Sequence, residues 1–179
     1  MKIGKDVIIH PTVQIFNDDA IEIGDNVRID AFCVLSGGSG LKIGSHIHIA
    51  CGNYLFAGAG IEIDDFCQIG AQCIIHSQSD DFSGHSMIGP CIPMKYKPGF
   101  KSGKVILERH VVLGARCTVL PETYLCKGAA FGAHSLITSN QYMAWKIYAG
   151  TPAKFIKVRY PIALNLEKAF LDEYESINS

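Results

Sequence analysis

Two histidines and two carboxylates fall together in one short stretch of the chain. His76 and His85 bracket Asp80 and Asp81 in the segment HSQSDDFSGHS. Imidazole titrates near neutrality, so it is the side chain best suited to take and return a proton at physiological pH. A neighbouring carboxylate orients such a ring or binds substrate hydroxyls. The chemistry indicated is general-base assistance to an attacking hydroxyl or amine. His85 lies on a segment able to reach outward and is placed ahead of His76, which sits at its mouth. Asp80 and Asp81 are candidates for ring orientation or sugar binding, and read equally well as solvated carboxylates. His10, His46, His48, His110 and His134 lack such company and are expected to be ordinary surface histidines. Cys91 shares the segment, but no histidine stands beside it in a nucleophile motif, so packing is preferred over a covalent intermediate.

The elements that must position these groups are written in a comb of aliphatic residues spaced by sixes. It runs Ile3, Ile9, Ile15, then Ile23, Ile29, Leu35, then Ile43, Ile49, Leu55, then Ile63, Ile69, Ile75. Helices need spacings of three and four, and a half-buried strand alternates by two. Strict sixes predict a β-solenoid with one short strand per hexapeptide. Extra pairs such as Ile21-Glu22 and Leu41-Lys42 are expected to bulge at one corner, where glycine-rich turns recur. After Ile75 the next secure member is Leu107, so a loop spanning 77–103 is inserted between coils. Its apolar residues, Phe82, Met87, Ile92 and Tyr96 among them, predict an ordered functional loop rather than a disordered one. The comb resumes at Leu107, Leu113, Val119, Leu125, Phe131 and Ile137, and is extended to Met143, Ala149 and Phe155. From Pro161 the spacing becomes helical, with Leu164, Lys168, Leu171 and Tyr174 on one stripe. The expected organisation is an all-β parallel β-helix of about seven coils over 1–159, followed by a short helix over 160–179.

Composition narrows the function classes. The chain has 179 residues and a formal net charge of −1, so no basic field recruits nucleic acid or an anionic membrane. No apolar run reaches the length of a membrane span, and MKIGKDVIIHP lacks a secretory pattern, so a cytoplasmic protein is expected. The seven cysteines contain no C-x-x-C. Cys33, Cys67, Cys73 and Cys117 fall on inward positions of the comb, where a reduced thiol packs as a small hydrophobe.

The comb, with Ala149-Gly150-Thr151-Pro152-Ala153-Lys154 and the following Phe155-Ile156-Lys157, resembles the hexapeptide-repeat acyltransferases. The resemblance covers residues 3 to about 159. Its closing segment is similar to that of the acetyl-CoA-dependent branch. Ser79–Gly84, with Pro90 and Pro93, resembles members that acetylate sugars of capsule, lipopolysaccharide or related glycans. The resemblance implies a left-handed β-helix, acetyl-CoA as co-substrate, no metal, and a homotrimer with active sites between subunits. It implies that the Ala115 N–H meets the thioester carbonyl, Ala133 contacts the pantetheine arm, and Thr138 and Ser139 lie further along it. Lys154, Lys157 and Arg159 would meet the CoA phosphates. The expected reaction is acetyl transfer to a sugar hydroxyl of a surface polysaccharide or its precursor, by direct attack with histidine as base. The alternative acceptor is the amine of a nucleotide-linked amino sugar. Two further readings stay open: a metal enzyme like the γ-class carbonic anhydrases, and a scaffold that kept the fold without the chemistry.

Overall fold

The computed structural model describes the backbone of residues 1–178 and the side chains as far as residue 174. The chain winds into a left-handed parallel β-helix with three flat faces. The first face holds Lys2–Ile3, Ile21–Ile23, Leu41–Ile43, Ile61–Ile63, Val105–Leu107, Tyr124–Leu125 and Gln141–Tyr142 in parallel order. The second runs from Ile8–Ile9 to Lys146–Ala149, and the third from Gln14–Phe16 to Leu136–Ile137. Like positions pair from coil to coil: Ile29 with Ile49, Ile49 with Ile69, Ile69 with Leu113. These four side chains are fully buried in one column. Each contributes about 1.5–3 kcal/mol of hydrophobic free energy over its exposed state. The four comb cysteines are buried in the same interior, as their spacing requires.

The extra pairs do not bulge at a corner. They lengthen the strands of the first face, so Ile21, Leu41 and Ile61 stack in register and point inward beside Ile23, Ile43 and Ile63. The residues between them face water and form a charge ladder, with Lys2 Nζ 2.7 Å from Glu22 and Lys104 Nζ 2.8 Å from Glu62.

The last coil slips by one residue against the comb. Tyr142 pairs with Leu125 and Tyr148 with Phe131, so these tyrosines take the inward sites expected for Met143 and Ala149. Their rings close the open end against Phe131, with centroids 5.1 and 5.3 Å away. Met143 is left exposed. Phe155 is exposed as well, because Lys154–Val158 turns back and pairs antiparallel with Lys146–Ala149.

The corner between the first and second faces is a column of left-handed residues: Asn26, His46, Phe66, His110 and Trp145 all have positive φ. Such angles are unusual for bulky side chains, and here the rings stack, His46 on Phe66 at 4.9 Å and Phe66 on His110 at 5.3 Å. The helix Ala163–Asn178 lies over this column. Phe170 and Tyr174 meet the His46 ring edge-on, while Glu167 bonds Arg109 and His110. Burial alone would raise the Glu167 carboxyl, but its bonds to Arg109 and His110 outweigh that and hold it below the usual range. His110 is therefore a buried docking residue and not the surface histidine expected from spacing. Glu167, not Lys168, supplies the inward polar contact of the helix stripe.

Candidate active site

The inserted loop leaves the third face after Ile74–His76 and returns at Val105–Leu107. Its stem is a small hairpin, Gln78–Ser79 against Lys101–Ser102. Inside, the buried Lys97 ammonium sits against Asp80 Oδ1 and donates to the Gly89 carbonyl at 3.1 Å, while the Gly89 N–H donates to Asp80 Oδ2 at 3.0 Å. Lys97 holds the Asp80 carboxyl below its ordinary range, helped by that N–H. Asp80 is thus the clasp of the loop.

Asp81 does something different. Its carboxylate accepts the Ser83 N–H at 2.9 Å and the Ser83 hydroxyl at 2.8 Å, and these bonds hold it ionised to lower pH than usual. Gly99 lets the chain pass close by, since a Cβ there would lie 2.5 Å from Asp81 Oδ2. Ser83 Oγ is also 2.9 Å from His85 Nδ1. His85 itself is exposed, and among the described residues nothing bonds its Nε2. His76 is half-buried and stacked on Phe56 at 5.4 Å; burial pushes its pKa down. Asp81, Ser83 and His85 are therefore one constellation, and His76 stands outside it. Sequence reasoning gave Ser83 and Lys97 no role of their own, although Ser83 lies in the HSQSDDFSGHS segment and Lys97 further along the same loop.

The second half of the site is a row of backbone N–H groups at the corner between the second and third faces. At the preceding corner, equivalent N–H groups are capped by side chains: Lys5 by Asp25 at 2.6 Å, Asp25 by Ser45 at 3.0 Å, Ser45 by Asp65 at 2.7 Å. At this corner the corresponding residues are Ala31, Cys51, Ala71, Ala115 and Ala133, with no carboxylate or hydroxyl to cap the coil before. Among the described residues, nothing accepts from the Ala115 or Ala133 N–H. Gly70 and Gly114 keep both uncovered. A Cβ on Gly70 would lie 2.7 Å from Ala115 N, and one on Gly114 would lie 2.7 Å from Ala133 N. Asp30 and Ala50, which hold the same place in earlier coils, do carry a Cβ. Two uncapped donors on successive coils suit an extended amide-bearing chain whose carbonyls point at the corner.

Over 169 residues the chain is 36% identical to the dTDP-4-amino-4,6-dideoxy-D-glucose acyltransferase of Escherichia coli, covering 94% of this chain and 87% of that one. The chain belongs to the hexapeptide-repeat acyltransferases. It is also 43% identical to AntD, an N-acyltransferase from Bacillus cereus solved with dTDP and 3-hydroxybutyryl-CoA, with a TM-score of 0.90 over 98% of this chain and 90% of AntD. A serine-to-cysteine variant of AntD, 42% identical with a TM-score of 0.90 over 96% and 90% of the chains, holds dTDP-4-amino-4,6-dideoxyglucose and coenzyme A. A hexapeptide transferase family protein of Anaplasma phagocytophilum, 18% identical with a TM-score of 0.62, shares the fold. No protein-family model matches the chain.

The remaining residues assigned by resemblance to this acyltransferase family divide into two groups. Lys154 and Lys157 are exposed on the antiparallel strand. Arg159 instead donates from Nη1 to the carbonyls of His110 and Gly128, both at 2.9 Å, and lies over the Trp145 ring. Through Nη1 it anchors the strand to the stacked corner. Thr138 and Ser139 lie at the corner between the third and first faces, across the third face from Ala115 and Ala133. The Ser139 hydroxyl donates to the Pro121 carbonyl at 2.6 Å, and Thr138 N–H donates to the Tyr142 hydroxyl at 3.1 Å. Both residues make bonds within the solenoid. Among the described residues no group of three or more His, Cys, Asp or Glu converges as metal ligands, and no helix is long and apolar enough to cross a membrane.

Proposed function

We propose that this acyltransferase moves an acyl group from an acyl-CoA to the 4-amino group of a dTDP-4-amino-4,6-dideoxy sugar. The observation that carries the reading is similarity along almost the whole chain to enzymes acting on, or solved with, that sugar nucleotide and coenzyme A. It supports the amine acceptor over the polysaccharide hydroxyl that the sequence placed first. The loop is anchored at one edge of the third face, and the open N–H groups of Ala115 and Ala133 lie at the other. Among the described residues no hydrogen bond or ion pair joins the two. A complete site then needs a second copy, in keeping with a homotrimer whose loop reaches a neighbour's corner.

In this reading the thioester carbonyl lies against the Ala115 N–H and the pantetheine arm against the Ala133 N–H, with Lys154 and Lys157 toward the phosphates. The sugar amine attacks the carbonyl carbon, and the oxygen takes up negative charge against the Ala115 donor. His85 Nε2 accepts the proton that the nitrogen loses. The C–S bond breaks, the amide forms, and the sulfur leaves as thiolate, recovering that proton from His85 as the free thiol. No acyl-enzyme forms. Thermal unfolding with added coenzyme A or dTDP tests the reading. Each should raise Tm progressively, by the equivalent of about 2.7 kcal/mol at a hundredfold excess over Kd. Stabilisation by coenzyme A without any by dTDP would remove the sugar nucleotide. No shift with either ligand would favour a scaffold.

A further inference from the structure

The loop chain Asp81–Ser83–His85 has a definite direction. Asp81 is ionised and has no proton to give, so the Ser83 hydroxyl hydrogen points to its Oδ2. Ser83 Oγ then faces His85 Nδ1 with lone pairs only, and the 2.9 Å contact requires a hydrogen on Nδ1. A neutral imidazole carries one N–H, which leaves Nε2 as the open lone pair. The alternative, a hydrogen on Nε2 with Ser83 donating to Nδ1, would deprive an ionised carboxylate of one of its donors. The stronger, charge-assisted bond decides the direction.

We propose that Ser83 is a positioning residue: it couples the Asp81 carboxylate to His85 through its hydroxyl, fixes the Nδ1–H tautomer, and so aims Nε2 at the acceptor amine. The proposal rests on His85 being the base. It assigns to a serine relay the work that a carboxylate does directly in a Ser-His-Asp triad. When His85 takes the amine proton, the imidazolium is stabilised through Ser83 by Asp81. Asp80 has no part in this, because Lys97 and the Gly89 N–H engage it.

The test compares Ser83→Ala, Ser83→Thr and His85→Ala in the full-length protein. The readouts are kcat, KM and the pH profile of acyl transfer, with the His85 tautomer followed by nitrogen-15 NMR. Ser83→Ala should lower kcat at least about tenfold with KM for acyl-CoA unchanged. The pH profile of acyl transfer should change with it, because His85 loses its hydrogen-bonded link through Ser83 to Asp81. Ser83→Thr keeps the hydroxyl and should restore both. NMR should show the Nδ1–H tautomer in the wild type and a mixture in Ser83→Ala. A wild-type rate and profile in Ser83→Ala, with His85→Ala inactive, would overturn the relay and leave the base standing. An Nε2–H tautomer in the wild type would overturn it directly. Full activity in His85→Ala would remove base and relay together.

Discussion

Replacing His85 by alanine should reduce kcat by about 10²–10⁴-fold, the range for loss of a positioned general base. Stability should change little. The loop is clasped by Asp80, Lys97 and the Gly89 backbone, and His85 is exposed and takes no part in that clasp. KM for acyl-CoA should hold near its wild-type value, since the residues assigned to the donor lie at the far corner. His76→Ala is the informative contrast. His76 packs on Phe56, and burial makes it both a weaker base and a packing element. Its loss should lower stability modestly and leave kcat within a few-fold. Parallel measurement of kcat and Tm for the two variants separates the roles. A tenfold larger loss of kcat in His76→Ala than in His85→Ala would reverse the assignment.

Gly70→Ala should produce the other large effect. The added Cβ would sit 2.7 Å from Ala115 N and 2.8 Å from both the Gly114 carbonyl carbon and the Leu113 oxygen, all backbone atoms that cannot swing aside. Overpacking of this kind costs about 1–3 kcal/mol. The solenoid is expected to remain folded, because the buried Ile29–Ile49–Ile69–Leu113 column below the corner is untouched. The functional effect is separate. The methyl covers the Ala115 N–H, and loss of a single oxyanion donor lowers kcat by about 10²–10³. Gly114→Ala should act one coil on, covering Ala133 N and raising the Kd for coenzyme A more than it lowers kcat. Isothermal titration with coenzyme A, alongside kcat, checks both. Unchanged kcat in a folded Gly70→Ala protein would show that the Ala115 N–H does not face the reacting carbonyl.

The fold was legible because a solenoid repeats one local rule. Apart from Ile21, Leu41 and Ile61 in the extra pairs, the inward comb positions of coils two to six follow the same six-residue period, and Ile29, Ile49 and Ile69 could be placed without knowing anything distant. Legibility failed where a side chain answered to a neighbour far along the chain. His110 has the spacing of a surface residue, but Glu167 and Trp145 bury it. Tyr142 and Tyr148 displaced Met143 and Ala149 because the end of a solenoid needs large rings to close it, and no periodicity announces an end. Arg159 reads as a free cation until the carbonyls of His110 and Gly128 are seen beside it.

The candidate site was partly legible for the same reason. His85 and Asp81 are near in sequence, so their association could be anticipated, while Ser83 between them was read only as part of the Ser79–Gly84 motif. The Gly-Ala pairs at 70–71, 114–115 and 132–133 were visible as text. Their meaning lies between coils: Gly70 and Gly114 each uncover an N–H one coil later, forty-five residues on for Gly70 because the loop intervenes. The acceptor was legible only as two alternatives, with the amine placed second. A sugar hydroxyl and a sugar amine ask the same proton transfer of a histidine, so the residues alone do not separate them.

The most direct measurement is product analysis by mass spectrometry after incubation of the protein with acetyl-CoA and dTDP-4-amino-4,6-dideoxyglucose. The matched nucleotide sugar bearing a 4-hydroxyl serves as the competing acceptor. The expected result is a single N-acetylated dTDP sugar, free coenzyme A formed in equal amount, and no acetyl ester on the hydroxyl sugar. Acetylation of the hydroxyl sugar with the amine left untouched would contradict the proposed function.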